Sequence, residues 1–116
     1  MNTSDIGFCY VSFKGAEGGK RRPVFILSIM ESEVTFFSIS SKYASKSAYI
    51  RAQYFEIVDW RGAGLPKASW IDIDSKRTMD ISDVSFDLVG TLPPSAVNDL
   101  ADFIESYPAR IATMRQ

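Results

Sequence analysis

From Gly7 to Lys14 the side chains alternate. Cys9, Val11 and Phe13 fall on one parity and Phe8, Tyr10 and Ser12 on the other, which predicts a strand with one face in the core. Gly15-Ala16-Glu17-Gly18-Gly19 follows as a loop suited to positive φ. After Lys20-Arg21-Arg22-Pro23 the run Val24 to Met30 is apolar, β-branched and aromatic, and predicts a buried second strand. A polar turn at Glu31-Ser32-Glu33 separates it from a third strand over Val34 to Ser40, so these two should form a hairpin.

A polar excursion from Ser41 to Arg51 follows, and then short strands at Tyr54 to Val58, Trp70 to Ile73, Lys76 to Asp80 and Asp83 to Val89. The stretch from Asp59 to Ala68, with Gly62, Gly64 and Pro66, reads as a loop. Beyond Pro93-Pro94 the period changes. Val97, Leu100, Ala101 and Ile104 trace one face of an amphipathic helix over about 94–107, with Pro108 as its stop. Five to seven short strands and a terminal helix predict a mainly β fold, an SH3-like closed barrel of the size of one domain spanning 1–116.

Charge changes the picture only when read by position. The formal net charge of the 116 residues is −1, which is unhelpful for a nucleic-acid ligand. Residues 1–52 carry seven Lys/Arg against four Asp/Glu, whereas 53–116 carry six against ten. One surface can therefore be basic while another is acidic. A single cysteine, Cys9, permits no intrachain disulfide, and no apolar run reaches the roughly 20 residues of a membrane span. With no signal-peptide pattern at the start, the expected location is the cytoplasm.

The absence of histidine removes Ser-His and Cys-His nucleophiles and any His metal site. Acid–base work would fall to carboxylate, arginine, lysine, hydroxyl or the thiol. Asp72, Asp74 and Asp80 are the candidates for a hard-cation site, Asp72 and Asp74 sharing one strand face. Simpler readings stand beside these: Lys20-Arg21-Arg22 as a solvated strand start, Asp74-Ser75 as a turn, Cys9 as packing, and Trp60, Trp70, Phe36 and Phe37 as core.

The order of KRRPVFILSI, VTFFSISS, WRGAGLPKASWIDI, DSKRTMDIS and GTLPPSAVNDLADFI resembles the PemK/MazF (Kid-like) family of toxin–antitoxin endoribonucleases over roughly residues 5–107. The resemblance implies a homodimer that needs no metal or cofactor and cuts single-stranded mRNA by attack of the ribose 2′-hydroxyl. It also implies a cognate antitoxin partner. Arg22 matches the family's catalytic arginine before proline, and Ser40 stands where many members carry threonine. Asp74 matches the base of the PemK branch. Asp72 replaces that branch's arginine, so Arg22 or Arg77 would take over as acid. Lys20, Arg21, Ser41, Lys42 and Lys46 would line the RNA groove. The rival readings are a gyrase poison of the related CcdB kind and a non-catalytic SH3-like interaction module.

Overall fold

The computed structural model describes residues 1–11 and 21–115. The end of the expected first strand, the glycine loop and Lys20 lie outside them. Within them, seven strands run in the order β1 (Asp5–Val11), β2 (Arg22–Met30), β3 (Glu33–Ser40), β4 (Tyr54–Ile57), β5 (Ser69–Asp72), β6 (Arg77–Asp80) and β7 (Val84–Thr91). A short helix α1 (Ala48–Arg51) sits between β3 and β4, and a long one, α2 (Pro94–Met114), closes the chain. The mainly β character and the β2–β3 hairpin follow the sequence pattern, with antiparallel pairs from Val24–Ser38 to Met30–Glu33. The polar excursion after β3 holds α1, which the sequence did not predict.

The continuous apolar run of β2 has a simple cause: its sheet is buried on both faces. Phe25 joins Ile6, Phe37, Ile39, Ile71, Leu92 and Leu100 in the larger core, with Val97 and Ile104 of α2 packed against it. Val24 and Ile26, on the other parity, join Cys9, Val34, Phe36 and Val84 in a smaller one. Phe36 meets Phe86 edge-on at 5.9 Å between ring centres, a favoured aromatic geometry. Cys9 is thus a packing residue.

Strand pairing runs β4-β5-β3-β2-β1-β7, with β6 also on β3. Among the described residues β4 and β7 do not pair, so the ladder is open, which corrects the expected closed barrel. The loop after β4 fills the gap instead. Gly64, at φ +84°, lies against the Val89 carbonyl, and Gly90 lies against the Ala63 carbonyl so closely that a Cβ on either would collide. Ala63 and Leu65 of this loop are buried in the larger core. Backbone packing and apolar burial therefore do here what strand pairing would do in a closed barrel.

A second correction concerns α2, which continues through Pro108 to Met114. Proline removes one intrahelical bond and strains the turn before it. Arg110 offsets this: its guanidinium donates to the Phe103 carbonyl at 2.9 Å, to Ser106 Oγ at 3.0 Å and to the Ala52 carbonyl at the end of α1. It also lies 4.0 Å from the Phe103 ring centre. Ile111 is buried beyond the proline, and Arg115 donates to Tyr49 Oη of α1 at 2.7 Å. The last two turns are held by tertiary contacts to α1 that the sequence period does not show. No helix among the described residues is long and apolar enough to cross a membrane.

Candidate functional site

β2 and β3 part at one end of the sheet. Their last pair there is Val24–Ser38, and Pro23 has no N–H to give to either neighbour. Arg22 and Ser40 each lie two residues beyond that pair on their own strands, so both keep the face of Val24 and Ser38. A cleft of about 480 Å³ opens beside them, lined by Phe8, Pro23, Ile39, Leu65 and Pro66 and by the polar residues Arg21, Arg22, Ser40, Ser41, Lys42, Lys46, Lys67 and Ser69. Among the described residues five of the lining side chains are cationic and none is a carboxylate. The described lining is therefore basic although the chain as a whole carries a formal charge of −1.

The cations are not equivalent. Arg21 donates to the Asp87 carboxylate of β7 at 2.9 Å and lies 4.4 Å from the Phe8 ring centre. Part of its charge is therefore already matched, and it fixes one rim. Arg22 is exposed at the mouth, with a planar fork of donors suited to phosphate oxygens. Ser40 Oγ accepts the backbone N–H of Lys42 at 3.1 Å. Having accepted that N–H, the hydroxyl keeps a proton of its own to donate.

The structure thus gathers Arg21, Arg22, Ser40, Ser41, Lys42 and Lys46 in one place. Asp74 and Arg77 are not among the residues lining it. Asp74 sits in the β5–β6 turn, its N–H bonded to Asp72 Oδ1 at 3.0 Å. It is near enough to Tyr107 of α2 that its charge adds to burial in raising that phenol above its ordinary value. Arg77 stands opposite Phe36 in the middle of β3, where its charge opposes part of the rise that burial imposes on the Cys9 thiol. Asp72 accepts from Gln53 at 2.9 Å, and Asp80 caps the turn at Ser82 by accepting both its N–H and its hydroxyl, which lowers the Asp80 carboxyl below its ordinary value. Among the described residues no three His, Cys, Asp or Glu side chains come together as a metal site. Lys67 is the lining cation that sequence reasoning missed; the loop after Gly64 brings it in, and no local signal marks it.

The whole architecture has solved counterparts. The Mycobacterium tuberculosis toxin MazF-mt6 superposes with a TM-score of 0.61 at 23% identity, covering 87% of this chain and 94% of that one. MazF of Deinococcus radiodurans gives a TM-score of 0.61 at 14% identity, covering 94% and 96%. A Deinococcus radiodurans MazE–MazF structure gives 0.61 at 14% identity, covering 91% and 92%. This chain has the MazF fold. The likeness lies in three dimensions: no protein-family model and no curated protein sequence matches the chain. On the MazF fold of this chain, the cleft lies at the open end of the β2–β3 hairpin, where strand ends and the loops after β3 and β4 converge.

Proposed function

We propose that this protein is the toxin of a toxin–antitoxin pair, an endoribonuclease that cuts single-stranded mRNA without a metal. The observation that carries the reading is the convergence of Arg22 and Ser40 with Lys42, Lys46 and Lys67 on one cleft with no carboxylate among its described lining residues. Five cations around an open groove suit a phosphate backbone. The MazF fold shared with the Mycobacterium toxin supports the same reading.

In this mechanism the lysines hold the backbone and bring a phosphate between Arg22 and Ser40. The ribose 2′-hydroxyl attacks that phosphorus and gives its proton to water in the open groove as the bond to the 5′-oxygen breaks; that oxygen takes up a proton from water, leaving a 2′,3′-cyclic phosphate and a 5′-hydroxyl. Charge builds on the non-bridging oxygens in the transition state, and the Arg22 guanidinium together with the Ser40 hydroxyl meets it there. Phe8, Pro23, Ile39, Leu65 and Pro66 supply the apolar part of the wall beside these donors. Asp74, which does not line the cleft, has no part in this proton transfer. An acidic antitoxin segment, from a partner in the MazE role, would compete for the same cations and silence the enzyme.

The deciding experiment is incubation of a long single-stranded RNA with purified protein in EDTA, beside Arg22→Ala checked for folding, with the new ends mapped. Cuts at a recurring short motif, abolished in the variant, support the reading. Intact RNA from folded, partner-free protein overturns it in favour of a non-catalytic module or a gyrase poison.

A further inference from the structure

Lys42 and Lys46 are carried by a segment without regular structure, yet that segment is tied down at nearly every step. The Lys42 N–H donates to Ser40 Oγ at 3.1 Å, Ser45 Oγ to the Lys42 carbonyl at 3.3 Å, and the Lys46 N–H to the Tyr43 carbonyl at 3.1 Å. The outer clamp is Arg51, the last residue of α1. Its Nε donates to the Tyr43 carbonyl at 3.2 Å and its Nη2 to the Ala44 carbonyl at 2.6 Å. The guanidinium carbon lies 5.0 Å from the Tyr43 ring centre. Tyr43 in turn stacks on Trp70, 4.8 Å between centres and 9° between planes. Trp70 is the ladder partner of Ser40. The chain of contacts from Arg51 therefore ends on the strand position that holds the Ser40 hydroxyl.

We propose that Arg51 is a positioning residue for the cleft: by bonding both carbonyls and piling with Tyr43 on Trp70, it sets Lys42 and Lys46 on the wall before RNA arrives. The proposal rests on the reading of the cleft as an RNA site. Arg51 does not line the cleft itself, so it acts through the lysines. Two carbonyls and one ring face occupy the guanidinium fork, a set of contacts that a lysine ammonium cannot reproduce. The lysine side chains and their loop would otherwise be ordered at the moment of binding, at a cost in affinity.

The test measures binding of a labelled, mixed-sequence 2′-O-methyl RNA, which lacks the attacking hydroxyl, to wild type, Arg51→Met, Arg51→Lys and the Lys42→Ala/Lys46→Ala pair with and without Arg51→Met. Thermal unfolding confirms that each is folded. Arg51→Met should bind about five- to tenfold more weakly, and Arg51→Lys nearly as weakly although it keeps the charge. In the double-lysine background Arg51→Met should add less than about twofold. Amide exchange at Lys46 should rise about tenfold in Arg51→Met without any RNA present. Full recovery of affinity in Arg51→Lys, an undiminished effect without the lysines, or unchanged Lys46 exchange overturns the positioning role. Failure of the wild type to bind overturns the RNA reading instead, and the exchange measurement still decides whether Arg51 holds the loop.

Discussion

Ser38 and Ser75 meet where β3 changes partners. The first half of β3 pairs with β6, from Glu33–Asp80 to Phe36–Arg77, and its end pairs with β5 at Ile39–Ile71 and Ser40–Trp70. Between the two ladders the Ser38 N–H donates to Ser75 Oγ at 2.8 Å, while the Ser75 hydroxyl donates to the Asp72 carbonyl at 2.6 Å. A side chain supplies the acceptor that strand pairing omits. Ser75→Ala leaves a part-buried N–H unpaired and should destabilise the fold by about 1–2 kcal/mol. Denaturant unfolding would show this as a lower midpoint at unchanged slope; no change would mean that water replaces the hydroxyl.

Lys67 and Asp74 give opposite expectations. Lys67 is part of the cleft lining although no sequence pattern marks it. Lys67→Ala should weaken RNA binding and reduce the salt dependence of log K by about one phosphate contact. Asp74 does not line the cleft, so Asp74→Asn should leave the cleavage rate within about threefold, whereas loss of a true general base costs about a hundredfold or more. A large loss in Asp74→Asn would mean that the carboxylate reaches the cleft in the working assembly. Single-turnover cleavage separates these outcomes.

The seam between the β4–β5 loop and β7 rests on glycine. Gly64 combines φ +84° with a position where a Cβ would fall 2.2 Å from the Val89 carbonyl oxygen. Both the backbone strain and the collision are with main chain, so neither can be relieved by turning a side chain. Gly64→Ala should cost about 2–3 kcal/mol or more. Because the same loop delivers Lys67, RNA affinity should fall with stability. A wild-type melting temperature in this variant would show that the seam is looser than described.

The thiol of Cys9 links stability to alkaline pH. Burial raises it above its ordinary value of 9.0, against a smaller opposing effect of Arg77. The native thiol therefore keeps its proton where the unfolded chain has lost it, and the unfolded state binds fewer protons. The contribution is fully present below about pH 9 and is lost as pH rises from there through the higher native value. Wild type should lose more stability than Cys9→Ala between about pH 7 and pH 10 in parallel denaturant titrations. Equal losses would mean that the thiol meets water in the native state.

Much of this protein is written in local pattern. Alternation and apolar runs place β1, β2, β3 and the start of α2 because burial has the period of the backbone, whereas Arg22 is singled out by the resemblance to a family. Other features depend on residues distant in sequence. Pro108 reads as a helix stop until Arg110 finds the Ala52 carbonyl, fifty-eight residues away in the chain. The polar stretch after Ser40 reads as plain loop until Tyr43 stacks on Trp70 and Arg51 clamps it. Asp74 fits a family pattern by its place in the sequence, whereas the fold leaves it out of the cleft lining; Lys67 fits no pattern and reaches the cleft through a glycine-tight loop. Side chains a few residues apart suffice to specify most of the strands, the start of the terminal helix and which strand end bears the arginine. Where the ladder stays open, how far α2 runs and which charges share the cleft depend instead on the packing of distant segments against one another, which no local pattern encodes.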